Sequence, residues 1–167
     1  HDYLDITLEV LNLGVGDINV KPISEKLESQ GKTVYDALTN SLKISAKKLF
    51  WSHAMSIVIS EDVAKVGISP ILDWVYRDLE PRLTLQIFIS KENTAKEMLS
   101  IKSLTTDIRS FEIDAMLKSD KFLSKTPSLE LYELMNEINC KEIYPVLPAL
   151  ESYISDGKLT VALAGGA

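Results

Sequence analysis

Apolar residues recur with a period of two near the start of the chain. Leu4, Ile6, Leu8 and Val10 alternate with Asp5, Thr7 and Glu9, which predicts a strand with one buried face. Asn12 to Asp17 contains two glycines and predicts a turn. Val20 to Gln30 is polar but β-compatible, with Pro22 near its start, and predicts an edge strand. At Gly31-Lys32-Thr33 the period changes. Val34, Ala37, Leu38 and Leu42 fall on one helical stripe, with Thr33 placed as N-cap and Asp36 in the first turn.

Ala54 to Ile59 is nearly continuous apolar, the pattern of a central strand covered on both faces. Ser60-Glu61-Asp62 begins a short helix that Gly67 closes, and Ser69-Pro70 begins another, with Ser69 as cap. Its inner face is Ile71, Leu72, Val75 and Leu79. Leu83, Leu85, Ile87 and Ile89 alternate again as a strand, and Thr94 with Glu97 forms a capping-box pattern for a helix to about Leu99. Further helices are expected over Thr105–Lys121 and from Thr126-Pro127, the latter with Leu131, Leu134, Met135 and Ile138 as its buried stripe. Ile143 to Ile154 reads as an irregular strand interrupted by Pro145 and Pro148. After the Asp156-Gly157 turn, Leu159, Val161 and Leu163 form a last strand.

No repeat or linker divides residues 1–167, so a single domain is expected. The strand–helices–strand order over residues 54–89 implies a crossover between parallel strands, and the hairpin-like ends imply antiparallel pairing. The expected class is α+β, a mixed sheet flanked by several helices.

Composition agrees with a folded domain. The 167 residues are 46% hydrophobic, which excludes disorder and leaves enough apolar surface for a core without disulfides. Eighteen basic against 24 acidic residues, a net charge of −6, argues against a nucleic-acid partner. No apolar run approaches the roughly 20 residues needed to cross a bilayer. There is no initiator Met and no signal peptide, and both ends look cut, so a fragment of a longer protein is expected.

Candidate chemistry is sparse. His53 lacks an evident partner for acid–base work and reads as a packed or hydrogen-bonded side chain. Cys140, the single cysteine, reads as a partly buried inert thiol. Gly14-Val15-Gly16 lacks the third glycine and following helix of a phosphate loop. No metal or cofactor site is expected, and no carboxylate pair is singled out for a hydrolase. Phe50 and Trp51 precede a buried strand, so at least one should be core. Trp74 lies near its helix's inner face, and Tyr3 and Tyr35 are placed to pack over strand ends. The densest polar cluster, Arg77, Asp78, Glu80 and Arg82, lies at a helix-to-strand junction. It reads first as a structural ion-pair corner and second as a contact surface presenting arginine.

Several separated motifs resemble one family. They are Gly31-Lys32-Thr33-Val34-Tyr35-Asp36-Ala37-Leu38, Lys48-Leu49-Phe50-Trp51-Ser52-His53, Ile57 to Ala64 with Gly67-Ile68, and Ile71 to Asp78 with Glu80 and Arg82-Leu83. Ala95 to Leu99 and Pro145 to Pro148 continue the match. Together they resemble the N-terminal domain of the Ger(x)C family, the C subunits of spore germinant receptors. Ser52 replaces the more usual glycine, and Leu79 and Pro81 depart from the arginine–aspartate–x–glutamate–x–arginine–leucine pattern. Residues 1–30 match least. The resemblance implies a spore lipoprotein anchored by an upstream lipidated cysteine, on the outer face of the inner spore membrane beside A and B membrane subunits. It implies no catalytic residue and no cofactor. The alternative kept open is a module that itself binds a small-molecule germinant in an apolar pocket.

Overall fold

The computed structural model describes residues 3–12, 23–45, 49–77, 82–103, 108–121, 127, 129–140 and 145–166. Strands β1 (Leu4–Asn12) and β2 (Ile23–Gly31) form an antiparallel pair, in register from Leu4 opposite Gly31 to Asn12 opposite Ile23. The expected turn at residues 12–17 falls almost wholly outside the described residues. Helix α1 (Val34–Ile44) follows, capped as its sequence requires, with the Asp36 N–H donating to Thr33 Oγ1 at 3.1 Å.

A second sheet has four strands in the order β3 (Ser56–Ser60), β4 (Gln86–Ser90), β5 (Pro148–Ser155), β6 (Lys158–Gly166). The first three run parallel and β6 is antiparallel to β5. Helices α2 (Glu61–Val66) and α3 (Ser69–Arg77) join β3 to β4 as a crossover, while α4 (Ala95–Ser100), α5 (Arg109–Lys121) and α6 (Leu131–Asn139) lie between β4 and β5. Asp156 at φ 49° and Gly157 at φ 73° turn the chain tightly from β5 into β6. The α+β class holds.

Two apolar layers sandwich the four-stranded sheet. On one side Ile59, Leu85, Ile87 and Ile89 pack with Val34 and Leu38 of α1, Ile71, Leu72 and Val75 of α3, and Leu131 and Leu134 of α6. Leu4, Ile6 and Leu8 of β1 close this layer from the hairpin. On the other side Phe88, Leu150 and Val161 pack with Met98 of α4 and Ile113 and Leu117 of α5. Trp51 and Trp74 meet edge to face, centroids 5.7 Å apart, at the margin of the first layer. Phe50 is left exposed, so Trp51 is the member of that pair that joins the core.

Several expectations need correction. The continuous apolar run of residues 54–59 is the edge strand of its sheet, and β4 is the strand buried along its whole length. Ile57 still packs on one layer and Val58 on the other. Apolarity therefore reported two covered faces correctly, while lateral neighbours were set by the connections. In α1, Leu42 is exposed and Ser41 is buried in its place. Position 41 lies almost directly beneath Val34 on a helix of 3.6 residues per turn. Its hydroxyl meets the Leu38 carbonyl at 2.6 Å, so a polar residue fits there.

Helix α3 includes Ser69, and of its predicted inner face Ile71, Leu72 and Val75 are buried, with Leu79 outside the described residues. The Thr94 hydroxyl bonds the Glu97 carboxylate at 3.1 Å and makes no cap bond to the backbone of α4. Helix α5 starts at Arg109, later than Thr105. Helix α6 starts at Leu131 and not at Thr126. The N–H groups of Leu131 and Tyr132 donate to the Leu85 and Leu83 carbonyls at 3.0 and 3.1 Å, which holds the preceding segment extended beside the β4 lead-in. Glu130 with Glu133 then forms the capping box. Ile138 is exposed, as are Tyr3 and Tyr35.

Candidate functional site

The corner singled out by sequence is partly visible. Arg77 ends α3 and pairs with Asp73, one turn earlier, at 2.9 Å, with both side chains largely exposed. Arg82 is exposed, and its carbonyl receives the Leu85 N–H at 3.1 Å. Asp78 and Glu80 lie outside the described residues. Leu83, 60% exposed, is tied through its carbonyl to the N–H of Tyr132, itself 44% exposed. The described parts of this corner thus display arginine, leucine and tyrosine to solvent, of which arginine and tyrosine are enriched at protein contacts.

A different polar cluster is the most deeply buried, and sequence reasoning missed it. Arg109, at the start of α5, is 2% exposed. Its Nε donates to the Ile101 carbonyl at 2.9 Å, Nη2 reaches the same oxygen, and Nη1 pairs with buried Glu112 one turn on. Glu9 of β1 supplies the other half. Its carboxylate accepts the N–H groups of Arg109 at 3.2 Å and Ser110 at 2.9 Å. A carboxylate at the positive end of a helix satisfies donors that have no partner within the helix. Here it comes from a strand about a hundred positions earlier. Burial pulls Arg109 below the usual guanidinium range, and the Glu112 and Glu9 carboxylates oppose that shift.

The cluster therefore clamps three elements. Arg109 holds the end of α4 to the start of α5, and Glu9 holds the β1–β2 pair to the start of α5. Lys96 of α4 meets Glu28 of β2 at 2.7 Å and adds an exposed second tie. A cleft of about 260 Å³ opens beside this junction, lined in part by Glu9, Lys26, Ile101, Lys102 and Arg109. Only one sequence signal could have pointed here, the opposite charges at 109 and 112. That spacing is common on exposed helices and carries no sign of burial.

Little else in the described residues offers chemistry. His53 is exposed at the end of a short 3₁₀ turn, Trp51–His53, and is not packed. Cys140 is an exposed free thiol at the C-cap of α6. Among the described residues no group of three or more His, Cys, Asp or Glu side chains could hold a metal ion. No described helix is long and apolar enough to cross a membrane.

The Glu92 carboxylate accepts the Ser152 N–H at 2.8 Å, linking the β4–α4 connection to β5. The Ser152 bonds hold its pKa below the usual carboxylate value. A depressed folded pKa contributes stability that is complete above the unfolded value, about 4.3, and is lost as pH falls through the folded value. Glu92→Gln should therefore lower the unfolding midpoint at neutral pH, with the difference from the parent shrinking through the acid range. Urea unfolding across pH checks this, and a difference independent of pH would refute it.

The comparisons with known proteins agree with the motifs. Residues 1–152 match the family described as the spore germination protein N-terminal domain. The chain belongs to that family. It is also 24% identical over 153 residues to spore germination protein KC of Bacillus subtilis (strain 168), covering 90% of this chain and 36% of that protein. The chain thus spans little more than a third of that relative's length. No solved structure matches it. In this spore germination domain the glycine–lysine–threonine motif is structural. Gly31 lets the first turn of α1 lie against β2, and Thr33 caps that turn.

Proposed function

We propose that this spore germination domain is part of a non-enzymatic C subunit of a nutrient germinant receptor, supporting receptor assembly and signalling through protein contact. The observation that carries the reading is the family match over residues 1–152. Two features support the non-catalytic part. The buried charged groups Arg109 and Glu112 bond to each other, and Arg109 also holds the α4 end, so they hold elements together. The exposed Arg82, Leu83 and Tyr132 present contact chemistry at a corner where the backbone of Leu83 is hydrogen-bonded to the start of α6. In this reading the full-length protein is lipid-anchored on the outer face of the inner spore membrane and meets the receptor's A and B membrane subunits. A lipid anchor with a second contact holds a domain at a bilayer without a spanning helix.

The test is genetic and biochemical together. Spores lacking the encoding gene should lose or reduce their response to one class of nutrient. Restoring the gene with Arg82→Glu should leave protein levels normal but weaken co-purification with the membrane subunits. Normal germination of the deletion spores with every nutrient would overturn the proposal.

A further inference from the structure

The β5–β6 hairpin extends past the helices that cover it. Three cross-strand pairs share one face of these strands: Leu150 with Leu163, Ser152 with Val161, and Ile154 with Leu159. Leu150 and Val161 are buried beneath α4 and α5, with Leu163 packed against them. One step further out the cover ends. Ile154 is 66% and Leu159 51% exposed, although the same alternation aims them at the same side. Along β6 an apolar strip, Leu163, Val161 and Leu159, thus runs from the core onto the surface, and Ile154 widens it at its outer end.

The strip leads into a second cleft, about 280 Å³, lined by Glu92, Glu97, Ser100, Ile101, Ser152 and Leu159. Its apolar lining residues are Ile101 and Leu159, and among the described residues its charged lining groups are the two carboxylates. Glu92 is fixed by the Ser152 N–H and Glu97 by the Thr94 hydroxyl, so both are held in place. Lys158 adjoins Leu159 but by strand alternation belongs to the opposite face. Lys96, on the same helix as Glu97, is engaged by Glu28.

We propose that this uncovered end of the sheet, with its acid-rimmed cleft, docks an apolar segment of a partner protein that carries lysine or arginine beside its apolar side chains. Charge decides among occupants. Fixed carboxylates favour a basic segment and repel anionic lipid headgroups. A second copy would bring two acidic rims together on chains that each carry a net charge of −6. The proposal rests on this geometry and is independent of the germination reading.

A fluorescent leucine–lysine peptide titrated into the 167-residue chain provides the test, beside leucine–glutamate and serine–lysine peptides of equal length. Saturable binding of the first is expected, with both controls at least about tenfold weaker. Ile154→Ser with Leu159→Ser should weaken it by about tenfold. Glu97→Gln, which leaves every apolar contact in place, should weaken it by a smaller factor and keeps the test valid if the double variant unfolds. Equal binding of the serine–lysine peptide, or binding undiminished by both variants, would overturn the proposal. A dimer, or adhesion to phosphatidylglycerol vesicles, that the double variant abolishes would overturn it in favour of self-association or a membrane.

Discussion

Gly31→Ala should destabilise the domain by about 3 kcal/mol, at the upper end of what overpacking costs. A Cβ at this position would stand 2.2 Å from the Ala37 backbone nitrogen and 2.8 Å from its Cα. Those are backbone atoms, so no rotamer change relieves the clash. Nor can α1 easily withdraw. The Ser29 hydroxyl donates to the Ala37 carbonyl at 2.8 Å, and the Asn40 amide donates to the Gln30 carbonyl at 2.9 Å, both across the same contact. Val34, Ala37 and Leu38 are buried behind it. For a domain of this size the change corresponds to a thermal midpoint lower by roughly 6–12 °C. Gly67→Ala is the instructive comparison. It meets open space but carries φ +128°, so strain alone should cost about 1–3 kcal/mol. Urea unfolding of both variants gives the answer. A loss below about 1 kcal/mol for Gly31→Ala, with α1 unmoved, would show that the contact is softer than its geometry.

Removing one partner of the buried pair should cost about as much. Glu112→Leu leaves the Arg109 guanidinium buried with its Nη1 donor unanswered, a change of about 3–5 kcal/mol. Arg109→Met combined with Glu112→Leu removes both charges and keeps most of the volume. That double variant should recover most of the loss, because desolvating an ion pair offsets much of its attraction. The recovery will be incomplete, since the Ile101 carbonyl also loses its donor. A double-mutant cycle by urea unfolding measures the coupling. If the double variant is as unstable as the sum of its parts, the pair is not coupled and the clamp has been misread.

Much of the architecture was legible from local pattern. The alternation of Leu4, Ile6 and Leu8 marked β1, Thr33 and Asp36 marked the start of α1, and Asp156-Gly157 marked the final turn. Each of these depends on residues within a few positions of one another. The helix starts that failed did so for a non-local reason. Thr126-Pro127 is a good local start, but the donors of Leu131 and Tyr132 are held by carbonyls some fifty positions earlier, and the helix waits for them.

The candidate sites divide in the same way. Arg77 and Arg82 stood out because charges crowd together in sequence, yet Arg77 proves to be an ordinary exposed pair with Asp73. Glu9, Arg109 and Glu112 passed unnoticed because nothing local distinguishes a buried charge from a solvated one. The sequence by itself determined the periods, the Thr33 and Gly67 caps, the α+β class and the family. Tertiary structure alone decided that β3 lies at an edge, that Arg109 is dry and held by Glu9, and that Ile154 and Leu159 are left uncovered. Those properties depend on which elements come to lie side by side, and the contacts that set them join residues tens to a hundred positions apart.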